Sequence, residues 1–277
     1  MKQRILSAVV GLAILAVVFL LFDTLLLNIV IAAICVMAVF ELLNATGTLK
    51  FRGFAVVAAL FAVLMPFAIE LHVRPFMPLI VFLLVISFFL LVLKYHSTIK
   101  FEQASMMLFF SLFVPVFFSC AVYLRDYYGD MLGMYYLLLA LGSAWLCDSG
   151  AYFSGVLFGK HKMAPTISPK KTVEGAIGGL ITAVLFNLLI AWLFTLGMTQ
   201  LGMTIQINYL VVGLISPVLG LLGMLGDLVA SVIKRQYGVK DYGHIMPGHG
   251  GIMDRFDSVL LTLPAVFIIS QIVTIAS

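Results

Sequence analysis

Four stretches of this chain carry acids, bases, hydroxyls and glycines at spacings suited to chemistry, and all four lie after residue 140. In Trp145-Leu146-Cys147-Asp148-Ser149-Gly150-Ala151-Tyr152 an aspartate falls inside an apolar run. A carboxylate at membrane depth costs about 2.5–3.5 kcal/mol on insertion scales and normally faces a cavity or a partner. At helical spacing Asp148, Tyr152, Gly155 and Gly159 share one stripe, with Ser149 and Ser154 beside it, which predicts a polar cleft. The plainer alternative is a helix contact in which Asp148 pairs with a buried lysine. In Ser168-Pro169-Lys170-Lys171-Thr172-Val173-Glu174-Gly175, serine as N-cap and proline at the first helical position predict a helix start at residue 168. Its free N–H groups and two lysines suit phosphate, although a basic cytoplasmic helix start gives the same pattern. Gly175 and Gly179 read as close helix packing.

The third stretch places Asp227, Ser231 and Lys234 at i, i+4 and i+7, followed by Arg235, so one helical face bears a carboxylate, a hydroxyl and a cation. The fourth runs from Lys240 to Asp257. Gly248, Gly250 and Gly251 around His249 allow backbone N–H groups to approach an anion closely, and Asp254, Arg255 and Asp257 open the last helix. Each piece alone is compatible with a loop and a cap. Together they put acids and cations at one site, as binding a metal with phosphate groups requires. No Walker A loop is present: Gly155-x-x-x-Gly159-Lys160-His161 has the wrong spacing and no hydroxyl after the lysine.

The run Ser231-x-x-Lys234-Arg235-x-x-x-x-Lys240-Asp241-x-Gly243-x-x-x-Pro247-Gly248-His249-Gly250-Gly251-x-x-Asp254-Arg255-x-Asp257 resembles the signature of the CDP-diacylglycerol synthases, or phosphatidate cytidylyltransferases. Asp148-Ser149-Gly150-Ala151-Tyr152 and Ser168-Pro169-Lys170-Lys171-Thr172 are similar to that family's other recurrent segments, so the likeness covers roughly residues 140–260. It implies an integral membrane enzyme, commonly dimeric, that makes CDP-diacylglycerol and pyrophosphate from CTP and phosphatidate with Mg²⁺; the sequence leaves open a second, monovalent cation. By the same likeness Asp227 and Asp254 hold the metal; Lys234, Arg255 and Asp148 are expected to join them in the catalytic set, with Asp148 and Asp257 supporting the metal from behind. Ser168, Lys170, Lys171, Thr172, Ser231, Arg235, Lys240, His249, Gly250 and Gly251 are expected to contact substrate. The chemistry favours one step: the lipid phosphate is already an anionic nucleophile, so in-line attack on the α-phosphorus of CTP needs no covalent enzyme intermediate.

These residues need a membrane-embedded frame. Of 277 residues 63% are apolar and only 10% charged, against about a quarter charged in soluble domains. Uncharged stretches long enough to span a bilayer follow one another, at roughly 5–22, 25–42, 53–69, 77–94, 105–124, 134–158, 174–197, 209–233 and 257–275. An all-α polytopic membrane protein of about nine transmembrane helices is expected, multi-pass in the plasma (inner) membrane. Fourteen of its sixteen Lys and Arg residues fall in loops on one side, leaving Arg74 and Arg125 on the other. The amino terminus is therefore expected in the cytoplasm, the carboxy terminus outside, and loops 159–173 and 234–256, with the active site, on the cytoplasmic face. Residues 1–133 read as a scaffold of about five spans and 134–277 as the catalytic region.

The composition excludes a separate soluble module and a nucleic-acid-binding surface, and Cys35, Cys120 and Cys147, in apolar runs without C-x-x-C spacing, read as small buried hydrophobes. Other classes fit less well. A cation-coupled transporter using Asp148 and Asp227 tends to show internal repeats, and none is apparent. The D-G-x-x-A-R pattern of the alcohol phosphatidyltransferases is absent. A catalytically silent scaffold is disfavoured by the intact charged positions.

Overall fold

The computed structural model describes residues 2–246 and 250–277, with side chains from residue 9 onward. It is mostly helical, and its helices divide into two compact units: residues 1–122 with 237–255, and residues 123–236 with 256–277.

The first unit contains α1 (Lys2–Leu20), α2 (Leu26–Ala45), α3 (Arg52–Leu64), α4 (Met77–Lys94) and the opening part of α5 (Phe101–Leu141). Helices α2 and α3 meet through small residues, with Cys35, Ala38, Ala58 and Ala62 wholly buried. Phe54 packs edge-on against Phe88 at 5.0 Å between ring centroids and lies beside Tyr95, which ties α4 to α3. Buried Asn28 donates its amide N–H to the Pro66 carbonyl at 2.8 Å, a polar contact inside an apolar helix. Buried Glu41, near the end of α2, reaches the 250–253 segment, as described below.

The second unit is built on α7 (Val173–Gln200) and α8 (Tyr209–Gln236), with α6 (Cys147–Phe158) laid against α7. Gly175 and Gly179 sit so close to α6 that an added Cβ would meet the carbonyl oxygens of Ala151 and Cys147 at 2.7 Å. Close packing is thus the role of this G-x-x-x-G, as its sequence suggests. Cys147, Ala183 and Met224 form the shared core of the three helices. The outward faces are apolar and exposed, among them Leu185, Trp192, Leu210 and Leu214, a distribution that lipid tolerates and water does not.

Helix α5 is interrupted at Gly129, whose φ of 78° and ψ of 171° are not helical. Beyond that break the chain runs back on itself, so that a Cβ on Gly133 would strike the backbone of Leu124 and Arg125. The returning arm continues through a π-helical turn (Gly142–Leu146) directly into α6, just before Asp148. Such turns add a residue to the helical register and re-aim the side chains that follow.

By length and composition, five helical stretches among the described residues are apolar and long enough to cross a membrane: Leu26–Ala45, Arg74–Lys94, Phe101–Phe158, Val173–Gln200 and Tyr209–Gln236. Val9–Leu20, Arg52–Phe67 and Val259–Ile272 are apolar but shorter.

The architecture departs from the all-α expectation in a short hairpin. Residues Lys162–Ala164 (β1) and Ser168–Thr172 (β2) pair as an antiparallel hairpin, and Ser168 is not a helix N-cap. Helix α7 starts at Val173, with the Thr172 hydroxyl accepting from the Gly175 N–H at 3.1 Å. Pro169 explains the misreading: its fixed φ and missing N–H suit a strand paired on one side as well as a first helical turn. Glu174, in the first turn of α7, fixes the hairpin's start by accepting from the backbone N–H groups of Lys160 and His161 and pairing with His161 Nδ1 at 2.6 Å. At the opposite end of α7 the carboxy terminus is tied down, with Gln206 and Ser277 exchanging backbone hydrogen bonds and the Tyr136 hydroxyl donating to the Ala276 carbonyl.

Candidate active site

In the second unit the hairpin, α6, α8 and the turn before α10 (Val259–Ile272) bring five charged residues together. Lys171, on β2, points its ammonium at Asp227 of α8, Nζ to Oδ2 2.5 Å, with both side chains about a quarter exposed. The other Asp227 oxygen accepts from Ser231 Oγ at 3.3 Å, the i, i+4 contact expected from their spacing. Asp148 accepts a hydrogen bond from Ser258 and lies within the electrostatic reach of Asp227 and Lys171. Asp257, 6% exposed, faces the charges of Asp227, Lys234 and Asp148 and accepts from the Ser258 N–H at 2.8 Å. Two features hold this arrangement. Gly226 lets α8 approach the 257–258 backbone, where any Cβ would collide with the Asp257 carbonyl. Trp145, in the π-turn, packs edge-on against Phe256 at 5.7 Å.

The stripe expected along α6 does not form one cleft. Asp148 turns toward the other acids, whereas Tyr152 is 66% exposed and Gly155 and Gly159 abut Thr172. Thr172, expected among the substrate contacts, is buried and caps α7. Ser168 and Lys170 lie on β2, with Lys170 exposed, and Arg235 donates to the Ile167 carbonyl at 3.3 Å, joining the end of α8 to the hairpin.

In the first unit, Asp254 belongs to the short helix α9 (Met253–Phe256), and its Oδ2 accepts from the N–H groups of Tyr242 at 2.8 Å and Gly251 at 3.0 Å. Gly250 adopts φ of 88° and exchanges a bridge with Met246, which closes the loop. Glu41 then accepts from the next two amides, Ile252 to Oε1 at 3.0 Å and Met253 to Oε2 at 2.9 Å. The N–H groups of residues 251, 252 and 253 thus each meet a carboxylate, so the Gly251 amide serves Asp254 in this structure. Lys240 and Arg255 are exposed, and His249 lies outside the described residues. Glu41 is absent from the sequence-derived site, which looked for chemistry only after residue 140. An acid inside the apolar run of α2 is nonetheless the signal that singled out Asp148, and applied evenly it would have found Glu41.

Among the described residues no three of His, Cys, Asp and Glu are grouped as a protein-only metal cage. Mg²⁺ is usually held by one or two carboxylates, with phosphate and water completing its shell, so the relevant test is the donor chemistry. The side chains fit. Asp148, Asp227 and Asp257 offer hard oxygen donors crowded close enough to repel one another, with Lys171 and Lys234 beside them. Such a cluster favours a further cation, while its lysines suit phosphate oxygens.

Comparison with known proteins gives this geometry a family. Residues 2–273 match the model of the cytidylyltransferase family, and the chain belongs to it. It is 36% identical over 277 residues to a protein of Bacillus subtilis (strain 168) named phosphatidate cytidylyltransferase, covering 96% of each chain. It is 35% identical over 274 residues to the protein of the same name from Staphylococcus aureus (strain COL), covering 95% of this chain and 96% of that one. A Staphylococcus epidermidis (strain ATCC 35984) protein of that name is 46% identical over 132 residues, about half of each chain.

Proposed function

We propose that the protein is a phosphatidate cytidylyltransferase, transferring CMP from CTP to phosphatidate to give CDP-diacylglycerol and pyrophosphate in phospholipid biosynthesis. The observation that carries this reading is the carboxylate and lysine cluster around Asp227 in a chain similar along its whole length to proteins of that name. A phosphatidate oxygen attacks the α-phosphorus of CTP, the new P–O bond forms as the bond to the pyrophosphate oxygen breaks, and the electron pair leaves with pyrophosphate. Lys170, Lys171, Lys234, Arg235, Lys240 and Arg255, with Ser168, Ser231, His249, Gly250 and Gly251, bind and orient the two anions, whose mutual repulsion is the main obstacle. Asp227 and Asp254 would hold Mg²⁺, with Asp148 and Asp257 in support, and the ion would offset phosphate charge. A second, monovalent cation would draw on the same carboxylate oxygens.

The apolar helices also support nine membrane crossings, because the three shorter ones add to the five long ones and the 101–158 run turns back at Gly129. In this arrangement the amino terminus and the site face the cytoplasm and the carboxy terminus lies outside, consistent with the placement of Lys171 and Ser277 at opposite ends of α7. The bacterial relatives fit an inner-membrane enzyme, working as a homodimer among membrane lipids. Purified protein in detergent, given CTP, phosphatidate and Mg²⁺, is expected to release pyrophosphate and form CDP-diacylglycerol. Without lipid it is expected not to exchange labelled pyrophosphate into CTP; robust exchange would reveal a covalent nucleotidyl-enzyme and overturn the one-step route.

A further inference from the structure

We propose that Glu41, a buried acid of the amino-terminal helices, is a positioning residue for the signature loop that presents Asp254. Glu41 is 2% exposed, and each of its carboxylate oxygens accepts one backbone N–H, from Ile252 and from Met253. These amides open α9, the one-turn helix that carries Asp254. Helix-opening N–H groups lack partners within their helix, and a carboxylate that takes two adjacent ones fixes both the position and the direction of the turn.

The loop is shaped around this contact. A Cβ on Gly243 or Gly251 would run into the Glu41 carboxylate, so glycine at both places lets the acid reach the backbone. Asp254 takes the neighbouring Gly251 amide and, across the loop, that of Tyr242, so moving residues 251–253 would move the carboxylate of Asp254 with them. Charge alone would keep Glu41 and Asp254 apart, since they lie close enough to repel. The amides between them are what make the arrangement favourable. The amino-terminal helices therefore set the geometry of the signature loop and do more than anchor the chain in lipid.

This inference rests on the reading of Asp254 as a metal ligand, and its test includes a measurement that needs no turnover. Full-length Glu41→Gln and Glu41→Ala proteins in detergent are compared with wild type by hydrogen exchange and by Mg²⁺ titration of CTP consumption. Removing a partner that orients a metal ligand lowers metal affinity about 10–100-fold. Glu41→Ala is expected to raise the half-saturating Mg²⁺ concentration by about tenfold or more and to speed amide exchange across residues 250–255, with α7 unchanged. Glu41→Gln, which keeps one good acceptor, is expected to fall between. Where the alanine variant does not accumulate, the glutamine variant decides. Wild-type exchange across 250–255 together with a Mg²⁺ requirement within about twofold of wild type would overturn the proposal. Inactive wild-type protein would instead refute the cytidylyltransferase reading, while the exchange measurement would still judge the role of Glu41.

Discussion

Replacing Gly226 by alanine tests how closely the carboxylate cluster must be held. A Cβ at this position would fall well inside contact with the Asp257 carbonyl oxygen, with the carbonyl carbon at 3.3 Å and Ser258 Cα at 3.4 Å. All three are backbone atoms, so no rotamer change relieves the clash. Restoring van der Waals separation requires α8 and the 257–258 turn to part by about 1 Å. Asp257 and Ser258 are the residues that face Asp227 and hydrogen-bond Asp148. Overpacking of this kind costs about 1–3 kcal/mol of stability, and a displacement of about 1 Å at reacting groups costs about 100-fold in rate. Gly223, one turn earlier on α8, provides the control. Its Cβ would make only ordinary contacts, 3.5 Å to Thr262 Cγ2 and 3.7 Å to Ala144 Cα. Gly223→Ala should gain about 0.5–1 kcal/mol from helix propensity and keep its rate. Initial rates of CDP-diacylglycerol formation and thermal melting in detergent read both variants. Wild-type kcat in Gly226→Ala, or equal losses in the two variants, would refute the reasoning.

Lys171→Met leaves Asp227 without its ammonium partner, and because the pair is partly exposed the expected stability loss is about 1–3 kcal/mol; activity should fall by at least about tenfold, that is, by about 1.4 kcal/mol in barrier. Exposed Lys170→Ala should cost less than about 0.5 kcal/mol in stability and act on substrate KM, and unchanged kinetics in both lysine variants would return these charges to a topological role. Thr172→Ala removes the cap of α7 and should cost about 1 kcal/mol, read as a lower Tm; an unchanged Tm would show that the cap contributes little. A reporter active only in the cytoplasm should be silent when fused after Ser277, and a signal there would reverse the proposed placement of the carboxy terminus.

The elements that position the site were legible where physics leaves few choices. An uncharged run of bilayer length has to be a helix, and the turn between α5 and its returning arm falls between the expected spans 105–124 and 134–158, at a glycine. The Asp227 and Ser231 contact followed from helical spacing alone. The hairpin at 162–172 was hidden because Ser168-Pro169 satisfies both a helix start and an edge strand, and only pairing with Lys162–Ala164 distinguishes them. The pairing of Lys171 with Asp227 spans 56 positions and leaves no local pattern, which is equally true of Glu41 and the 252–253 amides. Helical spacing also misdirected the reading of Tyr152, because sharing a stripe with Asp148 does not fix which part of that stripe is covered.

The most direct measurement of whether this carboxylate cluster supports cytidylyl transfer is the rate of CDP-diacylglycerol formation against Mg²⁺ concentration, for wild type and Asp227→Asn in detergent. Asparagine keeps the shape of the side chain and removes the charge that faces Lys171, Asp148 and Asp257. Wild-type protein is expected to turn over only with CTP, phosphatidate and Mg²⁺ together, and Asp227→Asn to lose activity by about 100-fold or more while still melting cooperatively. Turnover by Asp227→Asn near the wild-type rate at modest Mg²⁺, or none by wild type under any of these conditions, would contradict the proposed chemistry.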